Sequence, residues 1–268
     1  MSSSPKPKFA PRSPRLPSAL TAAEQRAFAF AEEVHGLAVG VVDAAIAEVV
    51  FEGDRDPKVY ALALLCRSIS NFQGALTMAR LDQAVESRTL VRSCFENLFL
   101  VDQLLKHGAG YVKTMQSHDA AGRISLGQSS LKHFGVAESP LGETIRGLIK
   151  RKRLHSPKKL AVSDTAGGEI GKMYPTYAML SLDAAHASVT SLRRHHRRGE
   201  DGLRTVEVVP PFRPRERLET LDMACSVILG VCQGVNTILG GTSQNDAVRA
   251  LVERFNGLLA ALLDRAGL

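Results

Sequence analysis

The sequence predicts an all-α protein, a single up-and-down bundle of about seven helices with at most one short β element near residues 203–209. Apolar residues recur at helical spacing in most segments, which is the main sign of amphipathic helices. Hydrophobic residues make up 44% of the chain and aromatic residues only 5%. Because Ala and Leu dominate the periodic segments, this composition favours helices over sheets.

The first 19 residues form a leader rich in Ser, Pro and basic side chains. Such a segment cannot bury enough apolar surface to offset the entropy lost on ordering, so we expect residues 1–19 to be disordered. The leader is either a solubilising tail or a polyanion-binding arm. Residues 20–268 are expected to form one helical domain, since no second core with its own boundary is evident.

Three long helices with short connections are predicted first, and they form an antiparallel core. Thr21 and Glu24 have the spacing of a capping box and start a helix that continues to about residue 51. Pro57 starts a second helix that ends near residue 81. The third helix covers about residues 83–107 and ends at Gly108, a helix-terminating residue type.

The later helices are shorter or more polar. Residues 156–171 are rich in Gly and Ser, which predicts a loop with at most a short helix. The β-branched run 203–209 is the predicted strand, and the prolines that follow it end it. The remaining helices are expected at about residues 109–134, 140–153, 174–195, 214–239 and 246–265.

The net charge of +7 makes polyanions plausible partners. Two basic clusters, at residues 150–159 and 193–198, either contact nucleic acid or are solvated helix ends. Few aromatic residues accompany them, so stacking of bases on aromatic rings is poorly supported. Helix-mediated assembly into a homo-oligomer is a separate expectation, compatible with either role of these clusters.

The four cysteines lie within apolar helical patterns and resemble small buried hydrophobic residues in a reducing compartment. They form no CxxC pair or Cys/His cluster, so we expect no metal site, and no motif indicates a cofactor. The sequence shows no secretory signal and no run of about 18 uncharged apolar residues. A cytoplasmic protein without a membrane partner is the expectation.

The third helix carries a charged pair, Arg92 and Glu96, in the middle of an apolar run. The two residues are one helical turn apart and share a helix face. Ionised groups are rarely buried without partners, so the pair is either a structural ion-pair staple or part of a functional site.

A second polar island contains Ser181, Asp183 and His186. Asp183 and His186 have a spacing at which a carboxylate can orient an imidazole, so they are either a general base with its acid or an ordinary hydrogen-bonded pair. On the fourth helix, His118, Asp119 and Arg123 form a further polar cluster. The predicted catalytic residues are His186, Arg92, Glu96 and Asp183, and the predicted ligand-binding residues are His118, Asp119, Arg123, Tyr177 and Ser181.

The segments ARLDQAVESRTLVRSCFENLFLVDQLL, YVKTMQSHDAAGR and YPTYAMLSLDAAHASVTSLRRH resemble an uncharacterised bacterial family, the domain of unknown function 5677. The similarity covers most of the chain after residue 20. It implies that Arg92, Glu96, Tyr177, Ser181 and His186 belong to one site, and it implies no reaction.

A looser resemblance is to the HEPN helical bundles of prokaryotic toxins and phage-defence proteins, many of which are metal-independent ribonucleases. Their mark is an Arg and a later His on one helix with four to six residues between them. Here the residues five to seven before His186 are Ser181, Leu180 and Met179, so Arg92 would have to supply the guanidinium from a neighbouring helix. We therefore expect a ligand-binding or regulatory protein with a central polar pocket, or alternatively a HEPN-like ribonuclease that binds RNA.

Overall fold

The computed structural model describes residues 18–153, 157–198, 204–210 and 212–266. Residues 1–17 of the predicted leader lie outside these ranges. Ser18, the first described residue, lies near the end of the predicted leader, and its backbone N–H donates a hydrogen bond of 2.6 Å to the carboxylate of Asp82.

The described residues confirm the all-α class. The ten α-helices in these ranges are α1 (Ala22–Glu48), α2 (Pro57–Arg80), α3 (Ala84–His107), α4 (Ala109–His133), α5 (Pro140–Arg153), α6 (Val162–Thr165), α7 (Tyr174–Leu180), α8 (Val189–Arg193), α9 (Pro214–Ile238) and α10 (Asn245–Ala266). A 3₁₀ turn at Ile170–Met173 precedes α7, and a π-helical segment at Ser181–Ala185 follows it. The short helix α6 is the one allowed within the predicted loop 156–171, and α8 falls within the helix expected at about 174–195, so both add to the expected count of about seven.

The starts of the first two helices follow from their sequences. In α1, the Thr21 hydroxyl accepts a hydrogen bond of 3.2 Å from the Glu24 N–H, while the Glu24 carboxylate accepts one of 2.7 Å from the Thr21 N–H. This reciprocal pair is the predicted capping box. In α2, Asp56 accepts from the N–H of Lys58, and Pro57 occupies the first turn, where its missing N–H costs nothing.

Four long helices, α1, α2, α3 and α9, enclose the hydrophobic core. The sequence predicted three core helices, and α9 joins them by packing closely on α3. A Cβ atom on Gly234 of α9 would lie 2.6 Å from Cγ1 of Val101, so only glycine fits at that contact. The buried apolar residues of α9 include Leu221, Ala224, Cys225, Ile228, Val231, Cys232 and Val235.

Within the described residues, α9 also has the length and composition of a membrane-spanning helix. About half of its most apolar window, 56%, is buried inside the bundle. A core helix meets the same criteria, so this similarity is weak evidence of a membrane span.

A buried ion cluster ties α9 to the beginning of the chain. The guanidinium of Arg217, only 1% exposed, donates from Nη1 to Glu24 of α1 at 2.6 Å. Its Nη2 donates to Asp82, in the turn between α2 and α3, and to the Ser18 hydroxyl. Asp82 has a φ of 60°, a left-handed conformation uncommon for residues other than glycine. The cluster therefore joins three separate parts of the bundle.

The region 174–198 differs most from the expectation. The helix predicted to reach residue 195 ends at Leu180, continues as the π-helical segment and is interrupted before α8. The strand predicted near 203–209 is found as β2 (Arg204–Val206), and it pairs antiparallel with β1 (His196–Arg198). A strand needs a partner for its backbone N–H and C=O groups, and the end of the basic run 193–198 supplies it.

One cysteine also departs from the prediction. Cys94, Cys225 and Cys232 are buried, whereas Cys66 is exposed on α2. Burial raises the pKa of the Cys94 and Cys232 thiols to about 12, so both stay protonated at neutral pH.

Candidate functional site

Four of the predicted site residues meet between α3 and the α7 region, and we call Arg92, Glu96, Tyr177 and Ser181 the Arg92 site. Arg92 donates from Nε to the Ser181 hydroxyl at 2.7 Å and from Nη2 to the Tyr177 hydroxyl at 2.7 Å. Ser181 in turn donates to the backbone carbonyl of Tyr177 at 2.9 Å. The guanidinium is thus fixed by two neutral hydroxyl groups that lie more than 80 residues away in the chain.

Glu96 lies at the solvent-exposed edge of the site. Its Oε1 accepts a hydrogen bond of 3.1 Å from the Tyr177 hydroxyl and lies 3.1 Å from Nη2 of Arg92. The side chain of Glu96 is 31% exposed and that of Arg92 is 16% exposed. The ion pair therefore lies at the edge of the bundle, in contact with solvent.

Helical spacing positions both halves of the site. Arg92 and Glu96 are one turn apart on α3, and Tyr177 and Ser181 are one turn apart on the segment packed against it. The Tyr177 ring packs edge-on against Phe99, with ring centroids 5.8 Å apart. Burial, followed by the nearby charge of Glu96, raises the pKa of Tyr177 above its usual value. Its hydroxyl therefore stays protonated and donates to Glu96.

A second group, which we call the Arg88 network, lies one turn along α3 and consists of Arg88, Asp183, Arg194 and Glu216. Arg88 contacts both carboxylates, Asp183 at 2.9 Å and Glu216 at 2.9 Å. Arg194 donates from Nε to Asp183 at 2.7 Å and also pairs with Glu216. Two positive and two negative groups therefore alternate and neutralise one another.

The Arg88 network is less exposed than the Arg92 site, with side-chain exposures between 6% and 17%. Burial disfavours the charge on Arg194, but the hydrogen bonds from its guanidinium to Asp183 and Glu216 outweigh that effect and raise the pKa of Arg194. The network joins α3 and α9 to both ends of the segment from the π-helical turn to α8. It thereby holds Ser181 against Arg92.

The expected pairing of Asp183 with His186 is absent among the described contacts. That expectation assumed a continuous α-helix, whereas Asp183 lies in the π-helical segment and His186 follows its end in extended conformation, with φ −121° and ψ 146°. The carboxylate of Asp183 binds arginines instead. The side chain of His186 is exposed, and its backbone carbonyl accepts from the Ser191 hydroxyl at 2.7 Å.

The predicted polar cluster on α4 makes no contact with the Arg92 site among the described residues. Asp119 and Arg123 form an exposed ion pair of 2.8 Å on the surface of α4. Nδ1 of His118 accepts a hydrogen bond of 2.9 Å from the N–H of Leu160. Among the described residues, none of the three contacts Arg92, Glu96, Tyr177 or Ser181.

Sequence reasoning missed three members of the Arg88 network. Arg88 was detectable, because it lies one turn before Arg92 and extends the polar stripe to residues 88, 92 and 96. Arg194 was included in the basic cluster 193–198 as a surface charge, but two carboxylates hold it inside. Glu216 gave no local signal, since its partners are remote in the chain.

The fold and site together define an all-α bundle in which a π-helical segment is held against a central helix by arginine contacts. Over residues 58–203, more than half of the chain, the sequence matches the model of a family of unknown function, DUF5677, and the chain belongs to that family. This match confirms the resemblance to that family inferred from the sequence. The matched range contains all four residues of the Arg92 site. No curated protein and no solved structure matches the chain.

Proposed function

We propose that the Arg92 site binds a small polar ligand and that the protein acts as a binding or regulatory helical protein. The observation that carries the proposal is a pair of unused polar atoms at the edge of the site. Among the contacts of the described residues, Nη1 of Arg92 and Oε2 of Glu96 have no hydrogen-bond partner. Neither atom is among the buried unpaired atoms, so both reach solvent.

The contrast with the neighbouring arginine supports this assignment. Arg88 is matched by two carboxylates and is almost fully buried, as expected for a structural staple. Arg92 is oriented by two neutral hydroxyls and faces a single, partly exposed carboxylate. A guanidinium oriented in this way keeps a donor edge available, and its side chain loses little further entropy when a ligand binds.

The two open atoms select a ligand chemistry. Nη1 of Arg92 is a hydrogen-bond donor and Oε2 of Glu96 is an acceptor, while the pair as a whole is neutral. The complementary ligand presents an acceptor next to a donor and carries no net charge at that edge. Primary carboxamides and the amide-like edges of nucleobases have this pattern.

The ribonuclease alternative requires His186 next to Arg92. Ser181 contacts Arg92 and Asp183 contacts Arg88, so the segment runs antiparallel to α3. His186 follows the end of that segment with an exposed side chain, and no contact between it and Arg92 occurs among the described residues. We therefore favour ligand binding over catalysis by these two residues.

Thermal denaturation with added nucleosides and small carboxamides tests the proposal. We expect at least one compound to raise the melting temperature of the wild type, because a ligand of the native state stabilises it. Glu96→Gln replaces one acceptor oxygen by a donor and should weaken that compound about tenfold or more. The matched control is Glu219→Gln, which alters an exposed carboxylate paired with Arg215.

Retained affinity in Glu96→Gln, or equal weakening in both variants, would contradict a site at Arg92. The same conclusion would follow if no nucleoside or carboxamide bound the wild type at millimolar concentration.

A further inference from the structure

A cleft between α4 and α5 is lined by basic side chains. One part, of about 490 Å³, is bordered by Arg146, Lys150 and Arg153 of α5. An adjoining part, of about 520 Å³, is bordered by Arg153 and by Lys159 of the segment after α5. The two parts share Gln128 and Arg153, so they form one continuous surface, which we call the α4/α5 cleft.

None of the four cations has a carboxylate partner among the described residues. Arg146 donates to the backbone carbonyl of Ala137 at 2.6 Å, and Lys159 donates to the Ser125 hydroxyl at 3.2 Å. Lys150 and Arg153 form no hydrogen bond or ion pair in the described parts of the chain. No acidic residue lines the cleft there. The cleft therefore carries four positive charges that no described carboxylate compensates.

Stabilisation of a helix end does not account for this arrangement. Cations in the last turn of a helix interact favourably with its dipole, which explains Lys150 and Arg153 of α5. Arg146 precedes the last turn and Lys159 follows the helix, yet both face the same cleft. The convergence of residues from separate segments indicates a surface that binds an anion.

The dimensions of the cleft favour an extended ligand. From Arg146 to Arg153 the helix rises about 10 Å, and Lys159 lies across the cleft, where it donates to the Ser125 hydroxyl of α4 at 3.2 Å. A single phosphate would occupy only part of this length. The floor is aliphatic, with Ile149 packed so tightly on Gly127 that a Cβ there would lie 3.1 Å from its Cδ1. The close helix pair gives the cleft a fixed shape.

We infer that the α4/α5 cleft binds the phosphate backbone of a single-stranded nucleic acid. The four cations contact successive phosphates, and no aromatic residue lines the cleft in the described residues. Binding is therefore electrostatic and largely independent of base sequence. The cations line an elongated depression between two helices, which suits a single strand better than a flat anionic bilayer, the competing polyanion. The inference is independent of the Arg92 site.

The test is fluorescence anisotropy with a labelled oligouridylate of about 16 nucleotides, the upper range of single-strand sites. The cleft variant carries Arg146→Gln, Lys150→Gln and Arg153→Gln. We expect its affinity to fall about tenfold or more at moderate salt. The dependence of log K on log salt should become shallower by about 2, because each lost phosphate contact contributes about 0.7 for single strands.

The matched control removes the same number of charges from exposed cations elsewhere. Each control cation is paired with an acid on its own helix or turn, and the substitutions are Lys172→Gln, Arg215→Gln and Arg249→Gln. We expect the control to bind within about twofold of the wild type, since its residues lie outside the cleft.

Three outcomes would overturn the inference: equal weakening in both triple variants, no binding by the wild type, or binding to phosphatidylserine vesicles without binding to the oligouridylate. Circular dichroism verifies folding of each variant. Should the cleft triple variant fail to fold, Lys150→Gln alone removes an exposed and unpaired cation and is expected to weaken binding about threefold.

Discussion

Arg92 and Ser181 are joined by a hydrogen bond of 2.7 Å between Nε and the hydroxyl, although 89 residues separate them in the chain. One turn earlier on α3, Arg88 is joined to Asp183 at 2.9 Å. These two contacts fix the position of the π-helical segment along α3. π-helical turns are rare and concentrate at functional sites, so the presence of one at the Arg92 site favours the ligand-binding role proposed for that site.

Asp183→Asn is expected to destabilise the protein by about 3 kcal/mol, because it leaves the buried guanidinium groups of Arg88 and Arg194 without their shared carboxylate. Chemical denaturation measures this loss. Asp119→Asn, which alters an exposed ion pair on α4, is the control and should change stability by less than about 0.5 kcal/mol. Equal effects of the two substitutions would show that the Arg88 network does not stabilise the fold.

Tyr177→Phe is expected to cost about 1 to 2 kcal/mol of stability, since it removes the hydroxyl that accepts from Arg92 and donates to Glu96. The matched control is Tyr174→Phe in the same aromatic cluster, where the hydroxyl has no partner among the described residues. The control should be nearly neutral in denaturant titrations. A neutral Tyr177→Phe would mean that solvent replaces these hydrogen bonds without loss.

Asp222→Asn is expected to stabilise the protein at neutral pH by at most about 1 kcal/mol, because the unpaired carboxylate of Asp222 is only partly buried. Burial raises the pKa of Asp222 above 3.8, and no described residue pairs with it. A carboxyl whose pKa is higher in the folded state makes the protein lose stability as pH rises from its unfolded pKa through the folded pKa.

The gain from Asp222→Asn should therefore be present at pH 7. It should disappear below about pH 4, where the wild-type carboxyl is protonated in both the folded and the unfolded protein. Urea denaturation of both proteins at the two pH values measures the difference. A gain that is the same at both pH values would indicate a cause other than the charge on Asp222.

Gly234→Ala is expected to destabilise the bundle by about 2 kcal/mol, because the added Cβ would lie 2.6 Å from Cγ1 of Val101 and push α9 away from α3. Gly36→Ala is the control, since a Cβ there meets no atom within 4 Å. It should stabilise α1 by about 0.5 kcal/mol through the higher helix propensity of alanine. Thermal melts of the two variants should shift in opposite directions.

The sequence by itself determined the long helices. Hydrophobic periodicity, the Thr21 capping box, Pro57 and Gly108 are local signals, and each element they predicted lies within a few residues of its expected bounds. Of the five residues expected in one site, Arg92, Glu96, Tyr177 and Ser181 meet, whereas His186 makes no contact with them among the described residues. An apolar helix can satisfy a charged pair only through a neighbouring element, and the resemblance to the family indicated which one.

Tertiary structure decided the partners of each charge. Asp183 and His186 were expected to pair because they are close in sequence, but the π-helical turn separated them and two arginines captured the carboxylate. Arg194, expected at the surface, is held inside by Glu216 of α9. Helices can be predicted from the local sequence because their periodicity depends on neighbours within a few residues. The local sequence does not indicate which remote charge completes a buried pair, because desolvation and pairing are set only when the helices pack.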